Sequence, residues 1–483
     1  MGSIVAMAAL LWPALYNGQP LFFPDTITYL RGADAGLQKL TGHSSPWTRL
    51  EDDVSAEAQT PPGEVAATPS VSSIKDKTVL SGRSVYYGAF LYLGDRFGHF
   101  WFTVLAQAAL LMLAMGLFFK AFRIAVWPQL AIAGVVMGIL TSASFYVSFL
   151  MPDVFAAVTL LGCASLIGAR SLGRADYCLW TALLAFSLVS HASHVLIAAA
   201  LLSLALLIDV LQRSWANWRG LAVIAGCLVL AGAAEAAFNM AVTHLVGAPP
   251  LRPPFLMAHA IEDGPGYRYL RDTCPASGFK VCEFLPRLPM PADKFIWSRN
   301  PPGVFAPASA EVRRELSAEQ YRFVWAVLRH DPMGVASASI NDVLRLIALM
   351  GLDEFNAPGY HDVSAAKLPV DYRPAFRASA AYRGAMPTRT ASIIQLVTFG
   401  AGAAALLAVL TAARLRRQFE REQLRMLALL ATGLVLNAAI CGILSGPNGD
   451  RYATRVAWLI PFAALTAGFA VMQRRRGRLV SSP

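Results

Sequence analysis

Residues 220–243, GLAVIAGCLVLAGAAEAAFNMAVT, hold one charged side chain, Glu235, in a run otherwise built from small and apolar residues. A stretch of this length and composition crosses a bilayer as a helix, because about 20 apolar residues span the hydrocarbon core. The pattern recurs along the chain. Apolar blocks at about 3–17, 100–119, 127–149, 153–169, 177–191, 194–210, 391–413, 424–444 and 455–472 bring the candidate spans to ten. Composition agrees: of 483 residues, 56% are hydrophobic and 15% charged, against about 25% charged in ordinary globular chains. The expected fold class is an all-α polytopic membrane protein with about ten transmembrane helices and two long outer loops. Glu235 and Asn239, one turn apart, read as a buried hydrogen-bonded pair. The first block has no basic residue ahead of it and no small-residue cleavage site. It reads as a retained helix rather than a signal peptide, with further residues expected upstream of Met1.

Lysine and arginine placement sets the orientation. Alternate connections carry Lys120 and Arg123, Arg170 and Arg174, Arg213 and Arg219, then Arg414, Arg416, Arg417, Arg421 and Arg425. The tail adds Arg474, Arg475, Arg476 and Arg478. The intervening short connections, Met151–Asp153, His191–His194 and Ser445–Arg455, hold only Arg451 and Arg455. Both termini are therefore expected to be cytoplasmic and both long loops periplasmic, in a bacterial cytoplasmic (inner) membrane. The net charge of +11 is accounted for by an anionic inner leaflet. No nucleic-acid-reading module is present, so nucleic acid is not an expected partner.

The chain divides into three regions: an N-terminal membrane region at 1–244 with spans one to seven, an outer region at 245–390, and a C-terminal membrane region at 391–483 with three spans and a basic tail. In the first outer loop, 18–99, the Pro-, Ser-, Thr-, Ala- and Glu-rich stretch 44–79 reads as disordered. The adjoining run from Gly82 to Leu93 reads as an interfacial helix. In the outer region, Pro249, Pro250, Pro253 and Pro254 suggest an extended strap, and helical periodicity covers 310–331 and 335–349. Of six cysteines, Cys274 and Cys282 share one polar loop with seven residues between them. Outside the membrane they would form a disulfide; in a reducing compartment they would stay free thiols.

The polar groups collect on the outer side. Asp25, in Phe22-Phe23-Pro24-Asp25-Thr26-Ile27-Thr28-Tyr29-Leu30, comes after span one and Asp153 opens span four. His191 and His194 lie between spans five and six, and Asp450, Arg451 and Arg455 lie between nine and ten. Transporters place ionisable groups at depth along a path, whereas these form a rim. Each residue also has a structural reading. Asp25 and Asp153 each come after a proline and equally suit helix capping. His191 and His194 read as hydrogen-bonded spacers, or with Asp153 as metal ligands; a divalent metal, if one is used, would draw on Asp25, Asp153 and His194. Asp450 and Arg451 sit in a turn where they can hydrate or pair, yet the planar fork of Arg451 or Arg455 also suits a phosphate.

This arrangement resembles the GT-C superfamily of membrane glycosyltransferases, in which a first outer loop carries a catalytic aspartate next to interfacial helices. The resemblance runs over spans one to seven, with Asp25 of Pro24-Asp25-Thr26 at the matching place. The Cys274–Cys282 segment and Gly449-Asp450-Arg451-Tyr452 resemble stretches of uncharacterised bacterial polytopic membrane proteins. The GT-C likeness implies a polyprenyl-phosphate-linked sugar donor, an envelope glycan, lipid or protein acceptor, and contact with membrane lipid. It implies Asp25 as general base, Arg451, Arg455, His191 and His194 on the phosphate side, and Arg83, Tyr86, Tyr87, Asp153 and Asp450 in supporting positions. Competing readings are a lipid-linked glycan polymerase or ligase, a non-enzymatic export or envelope-assembly component acting through 245–390, and a transporter dependent on Glu235.

Overall fold

The computed structural model describes residues 2–48, 77–212, 217–356, 367–446 and 449–481, with Ser72, Ile74, Asp362 and Ala365. Helices dominate the described residues, and the strand-like pairing among them is two isolated parallel bridges, Leu21 with Phe149 and Leu80 with Leu251. The chain begins with α1 (Gly2–Asn17), α2 (Pro24–Thr41), α3 (Val85–Gly98), α4 (Trp101–Ala121), α5 (Gln129–Leu140) and α6 (Ala143–Val147). It continues through α7 (Val154–Gly168), α8 (Arg174–Ser190), α9 (Ala192–Gln212) and α10 (Trp218–Val246). Shorter helices then alternate with a long pair: α11 (Phe255–Glu262), α12 (Pro265–Thr273), α13 (Ala292–Trp297), α14 (Ala310–His330), α15 (Pro332–Ala348) and α16 (Arg373–Ala378). The last elements are α17 (Thr388–Thr411), α18 (Ala413–Arg416), α19 (Arg421–Ser445), α20 (Arg451–Ala457) and α21 (Leu459–Ser481).

This is an integral membrane protein. Among the described residues six helices are long and apolar enough to cross a bilayer: α4, α9, α10, α17, α19 and the α20–α21 pair. Helices α1, α5 and α7 are shorter and apolar. Every residue of α7 is buried, which suits a helix that is apolar all round and makes it the hub of the bundle. Helices α4, α8, α9, α10 and α19 pack around it. The block at 127–149 is not one helix. Thr141 is extended, its hydroxyl donates to the Met137 carbonyl and accepts from Ala143 N, and the chain restarts as α6.

The break turns α6 against α20. Ser142 Oγ donates to the Thr454 carbonyl at 2.8 Å and Tyr146 Oη to the Arg451 carbonyl at 2.9 Å, so α6 holds the backbone of α20. Just beyond, Leu21 N donates to Ser148 O and Leu150 N to Leu21 O, at 2.8 and 2.9 Å. Thr26 Oγ1 adds a bond to Leu150 O at 3.0 Å. Two segments more than a hundred positions apart are thereby fixed side by side, one leading into Asp25 and the other into Asp153. Helix α2 starts with Pro24 at its first turn, where a missing N–H costs nothing. Helix α3 is capped by Ser84, which accepts from Tyr87 N and donates to the Val189 carbonyl at 2.6 Å. That bond pins the start of α3, and with it Arg83, to the end of α8.

The opposite ends of the spans carry ion pairs: Lys120 with the buried Asp176 at 2.8 Å, Arg425 with the buried Asp209 at 3.0 Å, and the more exposed Arg123 with Glu420 and Glu422. Glu235 departs from expectation. Its side chain is 52% exposed and faces Arg252 at 3.6 Å, so it is not buried with Asn239. The helix turns that face outward because α10 packs chiefly on α8, α9 and α7.

In the polar region, a second apolar cluster gathers Met257, Ile261, Leu270, Phe295, Phe305, Leu316, Phe323 and Val327, all essentially buried. Cys274 and Cys282 are disulfide-bonded beside it. The helices expected at 310–331 and 335–349 are α14 and α15, the second beginning earlier because Asp331 caps it by accepting from Gly334 N at 2.8 Å. Residues 49–71 of the segment expected to be disordered lie outside the described residues. At its near edge the chain is packed: Trp47 is 1% exposed and donates to Asp95, while Ser45 and Thr48 donate to Asp34.

Helices α2 and α3 pack tightly at Gly88, where an added Cβ would stand 2.2 Å from the Tyr29 carbonyl oxygen. Because that atom is backbone, Gly88→Ala should part the two helices and cost about 1–3 kcal/mol. Thermal unfolding of the variant in detergent, set against wild type, measures this; an unchanged midpoint would contradict the tight contact.

Candidate functional site

The site begins with one carboxylate. Asp153, at the start of α7, is fully buried. Its Oδ1 accepts from Arg451 Nε at 3.1 Å and from Arg455 Nη1 at 3.3 Å, two residues one helical turn apart on α20. Arg455 is itself 0% exposed and spends Nη2 on Ser193 Oγ and Asn437 Oδ1, both at 3.0 Å, and on Cys441 Sγ at 3.2 Å. Arg455 therefore ties α7, α9, α19 and α20 together, fully buried, with Nε lacking a partner among the described residues. Arg451 is different. Its guanidinium lies between the rings of Phe23 and Tyr452, at 4.7 and 4.9 Å, and the described residues give its Nη1 no acceptor. Such stacking orients a guanidinium without using up its donors.

Asp25 stands at the open edge. Its Oδ2 meets Arg83 Nη2 at 2.8 Å, and the two side chains remain 24% and 27% exposed. Burial works to raise the Asp25 pKa, but Arg83, Arg451 and Lys367 together outweigh it and hold the carboxyl below its ordinary value. Asp25 is thus ionised at neutral pH. Glu354, in the short 3-10 turn Asp353–Asn356, goes the other way. Burial pushes it up to about 7, with Arg451 opposing and Asp450, Asp153 and Asp25 adding to the rise. Asp450 accepts from Asp353 N at 3.0 Å and is pushed up to about 6, chiefly by burial. Two nearby carboxyls whose environments drive their pKa values apart are the arrangement that acid–base chemistry needs.

Other expected residues lie elsewhere. Tyr86 donates to the Ala234 carbonyl on α10 at 2.8 Å, facing away from Asp25. Tyr87 is fully buried and donates to Gln107 Oε1 at 2.9 Å, while Gln107 bonds the carbonyls of Val147 and Phe149. Arg83 precedes the Ser84 cap, whereas the two tyrosines lie in the first turn of α3, which directs them to neighbouring helices. His194 is buried with Nδ1 on the Ser187 carbonyl at 2.8 Å, and His191 Nδ1 meets Ser193 Oγ at 2.8 Å. They buttress Ser193 and the α8–α9 turn. Asp25, Asp153 and His194 do not gather as metal ligands among the described residues; arginines face both carboxylates instead. Sequence reasoning missed Glu354, Lys367 and Phe23. Phe23 lies two residues before Asp25 in the quoted stretch, whereas Glu354 and Lys367 carry no motif and are brought in by the fold.

The segment after α15 returns over this region. Tyr372 donates to Asp95 Oδ1 at 2.7 Å, Phe376 stacks edge-on with Phe22 at 5.5 Å, and Ala381 N donates to Asn17 Oδ1 at 2.7 Å. The fold and site define an all-helical integral membrane protein with a buried arginine–aspartate cluster that opens at one end of the helix bundle. Among solved structures the chain is similar to ArnT from Cupriavidus metallidurans bound to undecaprenyl phosphate, at 13% identity over 99% of this chain and 78% of that one, with a TM-score of 0.33. At that level the likeness assigns no residue and no activity. No family model and no curated protein matches the sequence.

The electrostatics lead to two expected outcomes. Asp153→Asn leaves two buried guanidiniums without their counter-charge, so thermal or denaturant unfolding should show a loss of about 3–5 kcal/mol; a loss under about 1 kcal/mol would mean that the arginines find other partners. For Glu354 the folded value lies above the unfolded one, so ionising it costs stability. The penalty is absent at and below the ordinary carboxylate range, grows as pH rises toward about 7, and is complete above it. Glu354→Gln should therefore raise the unfolding temperature at pH 8 and change it little at pH 4.5; a pH-independent difference would refute the shift.

Proposed function

We propose that the protein is a GT-C-type membrane glycosyltransferase, moving a sugar from a polyprenyl-phosphate donor to an acceptor at the outer face of the cytoplasmic membrane. The observation that carries this reading is Asp25: an ionised, partly exposed carboxylate held by Arg83, beside Arg451 with donors to spare. A base must be deprotonated and reachable by the acceptor, and Asp25 meets both conditions. An anionic leaving group needs a fixed cation, and a stacked, desolvated arginine meets that one.

In this reading the acceptor oxygen or nitrogen attacks the anomeric carbon and the carbon–oxygen bond to the phosphate breaks. The acceptor proton passes to Asp25, and the bonding electrons leave with the polyprenyl phosphate, whose charge Arg451 receives. Arg83 keeps Asp25 ionised and aimed until the acceptor arrives. Asp153 and Arg455 act as positioning residues, because they fix Arg451 without touching substrate.

The experiment is transfer from a polyprenyl-phosphate sugar by purified protein in lipid nanodiscs. Asp25→Asn should lower the transfer rate by about 10²–10⁴-fold while the protein still folds and binds the lipid phosphate. Wild-type rate should not lose its Asp25-dependent activity until pH falls below the ordinary carboxylate range, since the shift is downward. An Asp25→Asn variant with rates within a few-fold of wild type would remove the assignment.

A further inference from the structure

Away from Asp25, a second ionic cluster lies where the polar region meets the bundle. Helix α11 supplies His259 and is followed directly by Asp263, one turn on; α15 supplies Asp342. His259 is 4% exposed and Asp342 3%. His259 Nε2 lies 3.6 Å from Asp263 Oδ2 and 3.8 Å from Asp342 Oδ2, with Nδ1 3.7 Å from Glu262 Oε2. None of these is a hydrogen bond, since each nitrogen–oxygen distance is 3.6 Å or longer. Both imidazole nitrogens and Asp342 Oδ2 are buried without a hydrogen-bond partner. Buried polar atoms are almost always satisfied, so two orphans that face each other, His259 Nε2 and Asp342 Oδ2, with Asp263 Oδ2 beside them, call for an occupant.

One ligand atom from each of His259, Asp263 and Asp342 lies within 4.8 Å of the others. Ligands bonded at about 2.0–2.2 Å to a shared cation stand roughly 3–3.6 Å apart, so the His259 distances of 3.6 and 3.8 Å need little change and the widest spacing, at most 4.8 Å, closes by about an ångström. Two carboxylates and a neutral imidazole carry two negative charges, which a divalent cation cancels. Imidazole selects the zinc-like metals over calcium and magnesium. We infer that His259, Asp263 and Asp342 form a binding site for a divalent transition metal of the zinc class.

The surroundings give the site a task. Gly446, at φ 70° just past α19, packs against the His259 ring so closely that a Cβ would stand 2.2 Å from its Cε1. Gly442 on α19 lies close against the Asp342 backbone, and Leu346 of α15 is buried with Ala438 and Cys441 of α19. A metal here fastens α11 and α15 to each other directly over the outer end of α19. That same helix presents Asn437 and Cys441 to Arg455. The metal is a structural clamp between the polar region and the membrane bundle.

The test uses full-length protein in detergent, stripped with chelator and titrated with Zn²⁺ at neutral pH. Elemental analysis should find one zinc per chain, and zinc should raise the unfolding temperature. His259→Gln and Asp342→Asn should each weaken zinc binding by at least about 10-fold and abolish the temperature shift. His330→Gln, on a histidine 35% exposed and facing Asp272, should change neither. Wild type that binds no zinc, or the two site variants retaining full stoichiometry, would overturn the site. If one variant fails to fold, the wild-type stoichiometry and the other variant still decide. The readout is metal content and stability, so it stands or falls independently of sugar transfer.

Discussion

One carboxylate serving two buried guanidiniums holds this fold together. Moving charges out of water costs several kcal/mol each, a cost that close counter-charges and hydrogen bonds offset. Asp153 provides the charge; Ser193, Asn437 and Cys441 accept from Arg455 Nη2, while Arg455 Nε and Asp153 Oδ2 have no partner among the described residues. Four helices must therefore meet at one point or leave a buried ion without its counter-charge. The broken span is part of the same arrangement. Because the chain restarts at α6, Ser142 and Tyr146 turn hydroxyls toward the carbonyls of α20 and hold the helix that bears both arginines.

A rigid cluster of this kind makes a good mount for a softer one. Asp25 and Arg83 are partly exposed, and their pair is worth less than a buried one because water screens it. Their placement comes instead from the backbone. The Leu21–Phe149 bridge sets Asp25 beside the segment that ends in Asp153, and the Ser84 bond to Val189 sets Arg83 across from it. Arg451 joins the two groups, bonded to Asp153 on one side and within electrostatic reach of Asp25 on the other. The buried pair supplies position, and the exposed pair supplies a group that can change partners.

Much of this was legible in the sequence, for a physical reason. Apolar blocks and their flanking arginines must satisfy the bilayer wherever the helices later pack, so the helical membrane class could be read directly, and so could the shared end of the bundle at which Asp25, Asp153 and Arg451 meet. Side-chain direction could not. Arg451 and Arg455 are equivalent by composition, yet one faces Phe23 and the other is sealed among Ser193, Asn437 and Cys441. Tyr86 and Tyr87 lie just after Arg83, but helical rotation sends each to a different neighbour. Glu235 looked like a buried acid because its flanks are apolar, though α10 turns that face outward toward Arg252. Glu354 had no local signal at all, since its raised pKa arises from burial under a segment distant in sequence.

The opposed shifts of Asp25 and Glu354 have a consequence for any anion that enters. Both carboxyls feel Arg451, Asp25 being held ionised by it and Glu354 being only partly rescued from burial by it. An anion arriving at Arg451 spends the same positive potential, and the group with the weaker hold on its charge yields first. That group is Glu354, already pushed up to about 7, whereas Asp25 keeps Arg83 at 2.8 Å. Anion binding and proton uptake by Glu354 are therefore linked, each favouring the other through the shared arginine.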